Sequence, residues 1–180
     1  MGDMMRDLIE RLTQRYKLGA PVFQRADLTF VDLAANDQLR SLLLELRDRE
    51  GFTHLVLLTA VDWLEEGRFQ LTYMLNNRDA NQTLALRVYL DREVAVGETI
   101  HDIWPTAETY QRELREMFGI DFPGSPRVDE EFILEGWTDL PPYRRDFDTL
   151  AYSQQTYRDR PGRETTDPRT HMKHKLYPEG

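Results

Sequence analysis

Cysteine is absent from this chain of 180 residues. Disulfides and thiolate-ligated iron–sulfur clusters are therefore excluded, and a zinc site would need histidines and carboxylates alone. No run of about 18 apolar residues occurs, so no membrane-spanning helix is expected. The longest apolar run, residues 55–61, is broken only by Thr59 and has the length of a strand. Positive charge is in deficit, with 23 Lys and Arg against 32 Asp and Glu and a formal net charge of −9. That balance argues against a nucleic-acid binder, which gains affinity by releasing counterions at a positive footprint. It suits solubility. A secretory signal needs an unbroken apolar centre, and Asp3, Arg6, Asp7, Glu10 and Arg11 interrupt the first twelve residues. A cytoplasmic location is the default expectation.

Catalytic motifs are also lacking. Gly119 and Gly124 do not have the spacing of a glycine-rich phosphate loop. Ser41, Ser125 and Ser153 stand in no nucleophile-elbow pattern. His171 and His174 form H-x-x-H, a metal-holding spacing on a helix, but in a polar segment without a third ligand. His54 opens an apolar segment and His101 precedes Trp104, positions that suit structural histidines. Glu65–Glu66 and Glu130–Glu131 lie in polar segments, where adjacent carboxylates are solvated. A small metal-dependent enzyme using His and carboxylates is the rival reading from another class, and a free-standing adaptor is a third.

Hydrophobic periodicity supplies the elements. Met4, Met5, Leu8, Ile9, Leu12 and Tyr16 recur at helical spacing until Gly19 and Pro21. Residues 28–33 suit a short strand. Asn36 or Asp37 is placed to cap a second helix, with Leu39, Leu42, Leu43 and Leu46 on one face. Residues 54–63 read as a strand covered on both faces. Residues 68–76 and 83–91 alternate apolar and polar with period two, and short polar links make these three segments an antiparallel meander. A third helix follows Pro105 with Thr106 as its cap. Ala107, Tyr110, Leu114, Met117 and Phe118 form its buried stripe, and Glu108–Arg112 and Arg112–Glu116 are i,i+4 pairs on its outer side. The expected fold class is α+β: a two-layer domain with helices on one face of a mostly antiparallel or mixed sheet. Residues 1–147 carry 17 basic and 27 acidic side chains; residues 148–180 carry 6 and 5, with few aliphatic residues. The second segment is therefore expected as an extended C-terminal tail, disordered or laid along another protein.

Residues 110–146 stand apart, as a helix followed by proline-broken loops with interface-type side chains. Gln111-Arg112-Glu113 is followed by Glu116-Met117-Phe118-Gly119-Ile120, then Phe122, Gly124, Pro126 and Arg127, and later Trp137, Pro141 and Arg144-Arg145-Asp146-Phe147. Upstream stand Val61-Asp62-Trp63 and Ile103-Trp104-Pro105-Thr106-Ala107. Over roughly residues 36–150, in order and spacing, the chain resembles the 30-kDa (C-type) subunit family of complex I, the proton-translocating NADH:quinone oxidoreductase. That family reads E-R-E-x-x-D-x-F-G-I-x-F-x-G-H-P, then W, then P-L-R-K-D-[FY]. Here Gln111 replaces the first Glu, Thr109 stands where Trp is usual, and Ser125 replaces the His. Asp129-Glu130-Glu131 replaces a basic segment, and Pro142-Tyr143 fills the P-L position.

The resemblance implies a cofactor-free structural subunit of the peripheral arm. It would dock on the D-type large subunit, which shapes the quinone site, and on a B-type neighbour, at the cytoplasmic face of the membrane and without nucleic acid. Electron transfer to quinone coupled to ion translocation would belong to the complex. The equivalent subunit of an energy-converting hydrogenase or a ferredoxin-dependent complex is the nearest alternative. The partner-interface candidates are Arg112, Glu113, Phe118, Gly119, Phe122, Gly124, Pro126, Arg127, Trp137, Pro141, Tyr143, Arg144, Arg145 and Asp146. Arg144 and Arg145 offer forked donors to partner carboxylates, and Trp137 and Tyr143 are residue types enriched in interface hot spots.

Overall fold

Two strongly alternating segments form the middle of the sheet. In a computed structural model describing residues 2–156 and 167–176, they are β4 (Arg68–Asn77) and β5 (Gln82–Asp91). Phe69, Leu71, Tyr73 and Leu75 of β4, with Leu84, Leu86, Val88 and Leu90 of β5, are buried on one face. Gln70, Met74, Asn76, Arg87 and Tyr89 point the other way and are half-buried. Side chains alternate across a strand, so this pattern leaves one face for helices.

The sheet is completed by β1 (Val22–Arg25), β2 (Leu28–Asp32) and β3 (His54–Trp63), in the order β1-β2-β5-β4-β3. The β3-β4-β5 meander is antiparallel as expected. β2 runs parallel to β5, with Leu28 opposite Thr83 and Asp32 opposite Arg87, which makes the sheet mixed. Exposed throughout, β1 has no alternating signal and was not legible in the sequence.

Helix α1 (Gly2–Thr13) contributes Met5, Leu8, Ile9 and Leu12 to the core. Leu39, Leu42, Leu43 and Leu46 come from α2 (Leu39–Asp48), and Ala107, Leu114, Met117 and Phe118 from α3 (Ala107–Phe118). These join the apolar strand face in one cluster, a two-layer α+β arrangement.

Four expectations need correction. β3 is an edge strand rather than one covered on both faces, with Val56, Val61 and Trp63 exposed. A bulge between Leu55 and Leu57 changes its register, so neighbouring apolar residues do not report two buried faces. Asn36 does not cap α2; a 3-10 turn (Asn36–Gln38) leads into the helix and the Asn36 amide donates to the Tyr89 carbonyl at 2.7 Å. Thr106 precedes α3 without a side-chain capping bond. Gln111, not Tyr110, completes the buried stripe of α3. Tyr110 is half-buried, and its hydroxyl donates to the Val56 carbonyl at 2.8 Å.

The chain divides into two units, Met1–Arg144 and Arg145–Gly180. The second unit is not simply extended, for it contains α4 (Thr149–Thr156) and α5 (Pro168–Leu176). Aspartates start both helices: Asp148 accepts the Ala151 amide at 2.9 Å, and Asp167 accepts the Arg169 amide at 2.9 Å. An Asp cap followed by proline at the first helical position starts α5 despite its polar composition.

Candidate partner interface

α3 positions the candidate surface through its outer face. The expected i,i+4 pairs along the helix are replaced by contacts to the loop that follows. Glu108 receives Arg127 at 2.9 Å. Arg112 donates to the Glu131 carbonyl at 2.8 Å and lies over the Phe132 ring. Arg115 reaches Asp129 at 3.0 Å and Asp121 at 3.3 Å. Glu116 accepts the amides of Phe132 at 2.6 Å, Ile133 at 2.9 Å and Leu134 at 3.2 Å. An exposed helix pair is worth only a few tenths of a kcal/mol. A carboxylate that satisfies consecutive loop amides contributes more, because charge-assisted bonds are the stronger ones and loop amides have no ladder partner.

Further bonds fix the rest of the loop. The Gly136 amide donates to the Glu131 carboxylate at 2.8 Å, and the Trp137 amide to the Leu134 carbonyl at 3.1 Å. The Trp137 indole N–H reaches the Leu140 carbonyl at 3.2 Å. The Tyr143 amide returns to the Met117 carbonyl at the end of α3, at 2.9 Å. Gly119 ends α3 with φ of 76° and has Pro141 against it. That left-handed turn favours glycine, and a Cβ there would stand 3.3 Å from the proline ring. The loop and helix line an open cleft of about 260 Å³ bordered by Arg115, Glu116, Glu131, Trp137, Asp139 and Pro141.

The sequence candidates separate into distinct roles. Phe118 and Phe122 are buried in this chain's own core, and Phe118 meets Phe69 and Tyr143 edge-on. Gly119 and Gly124 hold left-handed turns. Arg112 and Arg127 pin the loop to α3. Glu113, Pro126, Trp137, Pro141 and Arg144 are half-buried, and Tyr143 is 58% exposed. Arg145 and Asp146 are exposed and belong to the second unit. The loop also exposes Ile133 at 65% and Leu140 at 37%, which sequence reading passed over. Their signal was present, as aliphatic residues retained in a proline-broken, acidic loop.

Two departures from the family motif meet in space. Gln111 is fully buried, and its side-chain oxygen accepts from the Ser125 hydroxyl at 2.8 Å and from the Thr99 hydroxyl at 3.2 Å. Its amide nitrogen donates to the Glu98 carbonyl at 3.4 Å. A neutral amide with neutral donors needs no buried charge, so Gln111 and Ser125 are compatible as a pair.

The serines and histidines assemble no nucleophile–base pair among the described residues. The Ser41 hydroxyl donates to the Gln38 carbonyl at 2.9 Å, and His101 shares a hydrogen bond with Thr99 at 3.1 Å. Among the described residues no group of three or more His, Asp or Glu is placed to hold a metal. The side chains of His171 and His174 lie outside those residues. The buried ion pair of Asp62 and Arg92, at 2.8 and 3.0 Å, locks β3 to the turn after β5 and places Arg92 beside the Phe69 ring. No helix among the described residues is long and apolar enough to cross a membrane.

A five-stranded mixed sheet with a helix-braced loop, in the motif order described, defines a complex I-type subunit. Residues 33–153 match the family described as the 30 Kd subunit of respiratory-chain NADH dehydrogenase, and the chain belongs to that family. Among curated relatives, the C-type subunit of NADH-quinone oxidoreductase from Moorella thermoacetica is 32% identical over 111 residues, covering 62% of this chain and 74% of that protein. The C/D 2 protein of the same enzyme from Aquifex aeolicus is 31% identical over 141 residues, 77% of this chain but only 23% of that protein. The C-type protein of Rhodobacter capsulatus is 37% identical over 115 residues, 62% of this chain and 57% of that protein. The chain thus spans little more than half of several relatives and under a quarter of the C/D protein. A chain from the membrane-bound sulfane sulfur reductase, an archaeal respiratory membrane complex, superposes with a TM-score of 0.80 at 27% identity. That match covers 91% of this chain and 98% of the other. The trypsin-resistant fragment of Nqo5 shares the fold, with a TM-score of 0.56 over 68% of this chain.

Proposed function

We propose that this chain is a cofactor-free structural subunit of the peripheral arm of a complex-I-type quinone oxidoreductase. It docks on a D-type large subunit and a B-type neighbour at the cytoplasmic face of the membrane. There it supports electron transfer to quinone coupled to ion translocation. The observation that carries this reading is the loop of residues 127–143, pinned to α3 while it exposes Ile133, Leu140 and Tyr143. Exposed apolar side chains on a rigid loop suit a protein interface, because association then orders little backbone. Arg144 and Arg145 at its end supply the forked cationic contacts.

A second reading places the chain in a related respiratory membrane complex with a different electron donor or acceptor. The superposition on the sulfane sulfur reductase chain favours it, since the match runs nearly the full length of both. Both readings share the docking role.

Affinity purification of the tagged full chain from solubilised membranes tests that role. The chain should recover large-subunit partners, whose identity separates the two readings. Ile133→Ser with Leu140→Ser should reduce recovery while the Tm of the isolated chain is unchanged, and Arg144→Ala with Arg145→Ala should separately reduce recovery. Full recovery with both double variants would refute this surface as the interface.

A further inference from the structure

The two edges of the sheet are built differently. β1 is four residues long, follows Pro21, ends in Arg25 and is bent by a bulge between Phe23 and Arg25. Shortness, charge and a bulge are devices that keep a free edge from pairing with another strand. β3 is ten residues long, and from His54 to Trp63 it holds no Lys, Arg, Pro or Gly. Its one acidic side chain, Asp62, is buried against Arg92. The strand bonds to β4 on one side only. Val61 and Trp63 stand opposite Gln70 and Arg68, on the face away from the helices, 41% and 38% exposed. The Trp63 indole N–H is held there by the Gln70 side-chain oxygen at 3.3 Å. The start of β3 is guarded, by the bulge between Leu55 and Leu57 and by the Tyr110 hydroxyl on the Val56 carbonyl. Among the described residues nothing of that kind guards residues 57–61. An uncharged edge of this length is a template for a further strand.

We propose that an extended segment of the docked large subunit adds to β3 along residues 57–61 as a sixth strand, with apolar side chains on the face it shares with Thr59 and Val61. The added strand presupposes the docking role proposed above. Main-chain bonds would supply the affinity, and side chains paired across the strands would select the segment. The chain's own second unit does not suit the edge. α4 and α5 are helices, and residues 157–166, outside the described residues, crowd charges around Pro161-Gly162, which is poor strand sequence. A second copy does not suit it either. Each copy carries a net charge of −9, and exposed Glu65, Glu66 and Glu93 stand in the turns at the end of the strand, so two copies repel. Continuity favours the large subunit. α3 runs beside β3, with Tyr110 on Val56 near one end and Phe118 against Phe69, the cross-strand neighbour of Asp62, at the other. Phe118 also meets Tyr143, the exposed ring that closes the interface loop. Two edge-on ring contacts, 6.1 and 5.6 Å between centroids, thus link the strand to that loop. A partner seated on Tyr143 has the open edge within its reach.

The test is residue-resolved hydrogen–deuterium exchange on the isolated full chain and on the complex recovered through its tag. In residues 57–61, the amides that point off the sheet should slow at least about tenfold in the complex, while the amides bonded to β4 change less. Slowing without that alternation would mean cover by a surface rather than a strand, and overturns the proposal. Val61→Lys puts a charge on the edge and should lower recovery of the large subunit at least about fivefold, with the Tm of the isolated chain unchanged. Val61→Thr, which keeps a strand-forming side chain, should restore recovery. Full recovery with Val61→Lys overturns the proposal. Protection of residues 132–143 without protection of residues 57–61 overturns the added strand and leaves the docking role standing. If the unaltered chain recovers no large subunit, the docking role itself fails. An isolated chain that sediments as a dimer, with the off-sheet amides already slow, overturns the proposal in favour of a second copy.

Discussion

Replacing Glu116 with alanine tests whether α3 holds the candidate interface loop. Its carboxylate meets Phe132 at 2.6 Å, Ile133 at 2.9 and 3.2 Å, and Leu134 at 3.2 Å. Hydrogen bonds to a charged group are each worth about 1.5–3 kcal/mol. The side chain is half-buried and water will answer part of the loss, so the net cost should be about 2–3 kcal/mol. That cost falls on local opening of the loop rather than on the core, because none of these bonds reaches the sheet. At about 1.4 kcal/mol per factor of ten, exchange of the Trp137 and Tyr143 amides should accelerate roughly thirty- to hundredfold. Both amides are useful reporters, since each has its own acceptor, the Leu134 and Met117 carbonyls. Hydrogen–deuterium exchange by NMR reads the effect, while core amides such as Leu71 should be unchanged. Glu116→Gln should fall between, because it keeps one acceptor oxygen but turns an N–H₂ toward amide donors. Unchanged exchange at Trp137 and Tyr143 in Glu116→Ala would refute the bracing role.

Two further perturbations address buried polar groups. Arg92→Leu strands Asp62, whose side chain is 1% exposed, and should cost about 3–5 kcal/mol in urea unfolding; adding Asp62→Ala should recover much of that loss. An equal loss in the double variant would show that the charge is not the cause. Gln111→Glu places a carboxylate in a fully buried site, where burial raises its pKa above the unfolded value of about 4.3. The unfolded chain then ionises first, so stability is lost as pH rises through that window and is kept near pH 4, by about 2–3 kcal/mol at neutral pH. Ser125→His in the same chain should restore part of it by supplying a cationic partner. A Tm for Gln111→Glu equal to that of the parent across the range would count against the coupling.

The motif order was legible without coordinates because it depends on residue identity and spacing. What each motif residue does was less legible. Phe118 and Phe122 stand among the interface candidates in the sequence, and only packing within the chain makes them core. Arg112 and Glu116 have ideal spacing along the helix, yet their partners lie 16 to 19 residues further along the chain. Local sequence rules describe neighbours on one helix and carry no information about a returning loop. The helices of the second unit were missed for the opposite reason: their starts depend on single aspartates, which composition averages away.

Sequence alone determined the family, the meander and the absence of thiol chemistry, since these follow from residue types, period-two alternation and composition. Tertiary structure decided that β3 is an edge, that β2 joins β5 in parallel, and that Gln111 and Ser125 share one bond. The physical reason is the same in each case. A strand's neighbours and a buried polar group's partners are set by which distant segments fill the remaining space, and that is fixed only when the whole core closes.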